Sequence, residues 1–219
     1  MFSTILFDLD GTLTDSGAGI INSVVYALER HGVDVPEREC LYTFVGPPLC
    51  DSLMKYCGMS SEQAEIATAS FREYFSTKGW LENQVYDGIE ELLQELQQAG
   101  KRLIVATSKP EVFAVRILEY FGLNKYFNLI CGAPMHPPKG HGKADVIQEA
   151  LTRAGIADLP SVVMVGDRLH DVQGAHTVGI PAVGVLYGYG DRAEHETCGA
   201  DYIVEDVAQL KALLLREHK

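Results

Sequence analysis

Residues 5–15 read Ile-Leu-Phe-Asp-Leu-Asp-Gly-Thr-Leu-Thr-Asp. Ile5, Leu6 and Phe7 form a short apolar run of the kind a buried parallel strand carries. The predicted strand, 5–9, ends among two carboxylates. Side chains alternate along a strand, so Asp8 and Asp10 are expected on one face while Leu9 turns into the core. Like charges this close repel unless a cation or a shared proton compensates them. A carboxylate pair at the carboxyl end of a core strand is therefore a seat for a hard, oxygen-seeking ion such as Mg²⁺. Open α/β sheets bind their ligands at such strand ends.

Outward from this stretch, apolar runs at 103–106, 162–165, 182–185 and 202–204 read as further strands. Between them, 89–99, 111–121, 144–154 and 172–178 carry helical spacing, closed by Gly100, Gly122, Gly155 and Gly179. Pro110 suits the first turn of its helix. This alternation predicts an α/β fold, a doubly wound parallel sheet with helices on both faces. Residues 16–82 break the rhythm. They hold amphipathic pieces at 20–31, 37–44 and 49–56, a Gly46-Pro47-Pro48 stop, and a Ser60/Gln63 capping box opening a long helix towards Lys78. The expected organisation is an α/β core from 1–15 and 83–219 with an all-helical insert at 16–82. The stretch 132–142, rich in Pro, Gly and His, is expected to be a loop near the site.

Composition narrows the partners. A formal net charge of −12 argues against nucleic acid, whose phosphates need a basic face. A phosphorylated ligand must then be held by local cations. The five cysteines have irregular spacing and no C-x-x-C, which suits reduced thiols and a cytoplasmic location. The first residues lack a basic n-region, and no apolar run approaches the ~20 residues that span a bilayer, so no membrane partner is expected.

The predicted strand ends collect the chemistry. The first gives Asp8 and Asp10. The second ends in Thr107-Ser108-Lys109. The third ends in Gly166-Asp167, with Asp171 one turn on. Lys143 opens the preceding helix. Carboxylates for a metal, a hydroxyl, a lysine and helix starts rich in N–H groups are the equipment of phosphoryl transfer.

These residues resemble the haloacid dehalogenase superfamily, phosphatase branch. The run 8–16, Asp-Leu-Asp-Gly-Thr-Leu-Thr-Asp-Ser, is similar to its first motif. Thr107 matches the second, Lys143 the third, and Gly166-Asp167-Arg168-Leu169-His170-Asp171 the fourth. The helical insert is similar to the family's C1 cap. Gly46-Pro47-Pro48-Leu49 and Tyr187-Gly188-Tyr189-Gly190 look closest to members labelled phosphoglycolate phosphatase or 5′-nucleotidase.

The resemblance implies hydrolysis of small phosphate monoesters through an aspartyl-phosphate, with Mg²⁺ as cofactor and a small phosphorylated metabolite as partner. It makes Asp8 the nucleophile and Asp10 the acid–base. It gives the phosphoryl group to Leu9, Gly11, Thr107, Ser108 and Lys143. It gives the metal to Asp8, the Asp10 carbonyl, Asp167 and Asp171. Lys139 lies four residues before Lys143 and competes with it for the third motif. Asp171 also reads as a plain helix cap. The histidines at 136, 141, 170, 176 and 195 form no ligand pair on one helix and read as packing or solvent-facing residues. A Ca²⁺ loop counted from Asp8 fails, because Leu13 and Gly19 stand where it needs Gly and Glu. The competing functions are a phosphomutase of the β-phosphoglucomutase type, a signalling receiver, and a catalytically silent binding module. Receivers are half this length, and a silent module would lose Asp8 or Asp10. Either a monomer or a homodimer is compatible with the chain.

Overall fold

The computed structural model describes residues 2–138 and 140–216. Two compact units divide the chain: Asp15–Gln84, and the segments before Asp15 and after Gln84. In chain order the elements begin with β1 (Thr4–Phe7) and β2 (Thr14–Asp15). Next come α1 (Gly17–Arg30), α2 (Arg38–Leu41), α3 (Leu49–Cys57), α4 (Ser61–Thr77) and β3 (Gln84–Val85). The core resumes with α5 (Ile89–Gln98), β4 (Arg102–Pro110), α6 (Glu111–Tyr120), β5 (Leu129–Ala133), α7 (Lys143–Ala154) and β6 (Val162–Gly166). It closes with α8 (Leu169–Val178), β7 (Ala182–Val185), α9 (Arg192–Cys198), β8 (Tyr202–Val204) and α10 (Val207–Leu214).

Six strands form one sheet in the order β5-β4-β1-β6-β7-β8, every neighbouring pair parallel. β1 is central, and its four residues are buried. In register, Leu6 lies beside Ile104 and Met164, and all three join the core formed with α7 and α8 through Val146, Ile147, Ala150, Val172 and Ala175. Alternation sends Ile5 and Phe7 to the opposite face. The apolar β1 run is thus covered on both faces, as a central parallel strand must be. β2 and β3 pair in a separate two-stranded sheet.

The unit Asp15–Gln84 is helical. α4 packs against α1 and α3. Its start is fixed by the Ser60/Gln63 box: Gln63 N donates to Ser60 Oγ at 3.2 Å and Ser60 N to Gln63 Oε1 at 2.8 Å.

Three details differ from the sequence reading. β5 went unread, because Leu-Ile-Cys-Gly-Ala is short and contains a glycine; its Gly132 and Ala133 were assigned to a loop. Pro110 does not sit within α6 but closes β4 immediately before it. The strand expected over 5–9 stops at Phe7. Asp8 still donates its N–H to Val165 O at 2.9 Å, but Leu9 O then accepts from Leu13 N (2.9 Å) and Thr14 N (3.0 Å), which turns the chain. A tight turn, and not a continued strand, therefore carries the chain on from Leu9, which is fully buried as expected.

Candidate active site

The carboxyl end of β1, the ends of β4, β6 and β7, and the first turn of α7 bring the polar residues together. Lys143, the first residue of α7, is the hub. Its Nζ lies 2.8 Å from Asp8 Oδ1 and 2.7 Å from Asp171 Oδ1, with only 3% of its side chain exposed. Asp171 uses its second oxygen to accept Arg168 N at 3.1 Å, so the same carboxylate caps α8 and faces Lys143. Asp171 thus caps α8 and lies in the acidic cluster at once. The competing Lys139 lies outside the described residues.

Asp167 completes the cluster. Its Oδ2 accepts Tyr189 N at 2.8 Å, and its Oδ1 is buried with no hydrogen-bond partner. One carboxylate oxygen from each of Asp8, Asp167 and Asp171 lies within 4.8 Å of the others. Among the described residues no histidine or cysteine joins such a group. Three buried carboxylates thus face one ammonium, leaving an excess of negative charge that a divalent cation would balance. The donor set is all oxygen, as Mg²⁺ requires.

The electrostatics agree. Burial, opposed by Lys143 and reinforced by Asp171 and Asp10, pushes the Asp8 carboxyl up from 3.8 to about 6. Burial and the charges of Asp171 and Asp8 push Asp167 well above the usual carboxylate range, against the Tyr189 N–H. Burial works against the Lys143 charge, yet Asp171 and Asp8 outweigh it and raise its pKa. Carboxyls held up and an ammonium held on describe a site short of positive charge.

The Asp10 carboxylate stands apart from this cluster. Its Oδ2 accepts Lys109 Nζ at 2.7 Å in a nearly buried ion pair. Thr107 is 1% exposed, and its Oγ1 accepts Lys109 N at 3.2 Å. Ser108 follows it in β4.

Sequence reasoning missed three contributors. Lys109 was read only as part of a strand end; the signal was a charged residue three places beyond an apolar run. The loop 187–190 was noted for its likeness to family members, with no contact assigned to it. It is clamped onto the site: Tyr187 Oη donates to Thr12 O at 3.1 Å, and Tyr189 N holds Asp167. Gly188 makes this possible, since a Cβ there would lie 2.3 Å from Gly11 O and 2.4 Å from Asp167 Cβ. Gly11 itself turns with φ +81°, and a Cβ on it would meet Asp167 Oδ2 at 2.1 Å. The third contributor is Glu194, whose Oε1 accepts Leu169 N (2.7 Å) and Arg168 Nε (2.9 Å), pinning the start of α8. No periodicity announces that contact. The histidines do other work: His195 is buried against Val185 O and His176 pairs with Asp201.

Known proteins resemble this chain. The family model described as haloacid dehalogenase-like hydrolase matches residues 5–185. A Pseudomonas aeruginosa protein named 5′-nucleotidase is 40% identical over 213 residues, covering 97% of this chain and 96% of that one. A Mycobacterium tuberculosis protein named tyrosine-protein kinase PtkA is 46% identical over 187 residues, 85% of this chain but 62% of its own length. A solved structure described as a predicted phosphatase from Clostridium acetobutylicum superposes with a TM-score of 0.94 at 45% identity, covering 98% of this chain and 99% of that one.

Proposed function

Because the chain belongs to the haloacid dehalogenase-like hydrolase family and is an enzyme of its phosphatase kind, we propose that it hydrolyses small phosphate monoesters through an aspartyl-phosphate on Asp8, with Mg²⁺ as cofactor. The observation that carries this reading is Lys143 bridging Asp8 and Asp171 beside Asp167, whose Oδ1 is buried without a hydrogen-bond partner.

Asp8 Oδ attacks phosphorus as the bond to the leaving oxygen breaks. Asp10 gives the leaving oxygen its proton, then takes one from the water that attacks the aspartyl-phosphate. Lys143 offsets charge on Asp8 and the phosphoryl oxygens. Thr107 Oγ1 and the N–H groups of Leu9, Gly11 and Ser108 are the donors assigned to that group. Asp8, Asp167, Asp171 and the Asp10 carbonyl would hold Mg²⁺, which when bound draws negative charge off the phosphoryl oxygens. The loop 187–190 keeps Asp167 aimed, as outer partners of a metal ligand do.

The substrate we assign is a small monophosphate such as phosphoglycolate or a nucleoside 5′-monophosphate. The net charge of −12 disfavours polyanions, and the relative named 5′-nucleotidase supports a small ester. The relative named tyrosine-protein kinase motivates a second reading, phosphoryl transfer to a protein tyrosine. A screen of the purified chain with Mg²⁺ against phosphorylated metabolites, reading released phosphate, and a parallel incubation with a nucleoside triphosphate as donor and a tyrosine-bearing protein as acceptor, reading phosphotyrosine, separate the readings. Release from small esters supports the first. Transfer to protein tyrosine with no ester hydrolysis would support the second, and movement of phosphate between sugar positions without release would reveal a mutase.

A further inference from the structure

β4 runs past the point where β1 ends. It carries Thr107, Ser108, Lys109 and Pro110 as strand, and its pairing with β5 shifts register between Thr107 and Pro110. Such an irregularity re-aims side chains at the end of a strand. It is braced from behind: Gly132 N donates to Glu111 Oε2 at 3.1 Å, and Arg153 Nη1 pairs with the same oxygen at 2.6 Å. In front, the Lys109 ammonium, 6% exposed, lies 2.7 Å from Asp10 Oδ2. The other oxygen, Asp10 Oδ1, is buried and has no hydrogen-bond partner.

A carboxylate that moves protons must have one oxygen fixed and one free. We propose that Lys109 is the positioning residue of the hydrolytic half-reaction: it anchors Asp10 through Oδ2 and leaves Oδ1 to receive the water proton. This rests on the Asp8 and Asp10 roles above. In the step concerned, the water oxygen bonds to phosphorus and the bond from phosphorus to the Asp8 oxygen breaks. Inorganic phosphate and the Asp8 carboxylate result, and the water proton passes to Asp10 Oδ1. Lys109 exchanges no proton; its hydrogen bond stops the Asp10 carboxylate from rotating away. A buried lysine at this position also has an alternative use, as a direct donor to the substrate phosphate, and the two uses predict different kinetics.

The probe is p-nitrophenyl phosphate with saturating Mg²⁺, because p-nitrophenolate leaves without a proton. kcat/KM then reports formation of the aspartyl-phosphate, while kcat includes its hydrolysis. Lys109→Met is expected to lower kcat by roughly tenfold to a hundredfold, less than the roughly 10²–10⁴ lost when the general base is removed, because Asp10 is misplaced and not absent. kcat/KM should stay within about twofold, so KM falls together with kcat. A burst of p-nitrophenol equal to the enzyme concentration should appear. Lys109→Arg, which keeps the charge and a donor, should recover part of kcat. Adding Lys109→Met to Asp10→Asn should cost nothing further, as coupled residues behave. Loss of kcat/KM in step with kcat, or losses that multiply in the double variant, would overturn the assignment in favour of substrate binding. Melting curves identify a variant that has merely failed to fold, and the Arg variant then carries the test: a burst with kcat below wild type supports the assignment, and a lowered kcat/KM overturns it. If Asp10→Asn itself leaves kcat unchanged while Asp8→Asn is inactive, the Asp10 role falls and this inference with it. If Asp8→Asn turns over, the covalent reading has failed instead.

Discussion

Magnesium should stabilise this protein in a pH-dependent way, and the size follows from Asp8. Its carboxyl is raised from 3.8 to about 6 by burial, opposed by Lys143 and reinforced by Asp171 and Asp10. At 1.36 kcal/mol per pH unit, that displacement is worth roughly 3 kcal/mol. The folded value lies above the unfolded one, so the proton bound by the fold favours folding at low pH. That contribution is complete below 3.8, erodes through the interval up to about 6, and is gone above it. Asp167, also raised, acts in the same direction. A divalent cation on these carboxylates replaces the proton. Proton competition at a carboxyl titrating near 6 weakens cation binding by roughly 2 kcal/mol at pH 4.5, so the Mg²⁺ stabilisation should be larger near neutrality by about that amount. For a chain of this size 1 kcal/mol moves Tm by roughly 2–4 °C, so the Tm rise with saturating Mg²⁺ should be about 4–8 °C greater near neutral pH than at pH 4.5. Thermal melts with and without Mg²⁺, across that pH range, measure it. Asp167→Asn should raise Tm without Mg²⁺ and shrink the Mg²⁺ shift. A shift that is absent, or the same at both ends of the range, would refute the reasoning.

Other substitutions probe the same framework. Gly188→Ala should push the loop 187–190 off Gly11 and Asp167; by analogy with lost outer-shell partners, Mg²⁺ affinity read from melts should fall about 10- to 100-fold. Lys143→Met leaves Asp8 and Asp171 buried without their cation. It should cost about 3–5 kcal/mol in denaturant unfolding without Mg²⁺, and an unchanged midpoint would show that the pair contributes nothing. Asp10→Asn should slow kcat by roughly 10²–10⁴ with bound substrate affinity little altered, as isothermal titration on an inactive background would register.

Much of the core was legible in the sequence because it rests on local regularities. The apolar runs of β1, β6 and β7 and the glycines closing α5 to α8 carry their periods on the surface of the sequence. Asp8, Lys143, Asp167 and Asp171 meet because each stands at a strand end or helix start, and parallel topology sends those to one edge of the sheet. The unread parts depend on contacts no period encodes. β5 is an edge strand whose glycine hides it. The turn after Phe7 replaces a continued strand because Leu9 O takes up the N–H groups of Leu13 and Thr14. Lys109 finds Asp10 across a separation of 99 residues through a register shift, and Tyr187 finds Thr12 across 175. Such pairings are set by packing of distant segments, which the residue types alone do not specify.

The central claim is that Asp8 carries the phosphoryl group. Its most direct test is to quench the enzyme during turnover of a small monophosphate with Mg²⁺, trap acyl-phosphates by borohydride reduction, and map the modified residue by mass spectrometry. Reduction confined to Asp8, and lost in Asp8→Asn together with phosphate release, is the predicted result. Steady phosphate release with Asp8 unmodified, or a trapped group on any other residue, would contradict it.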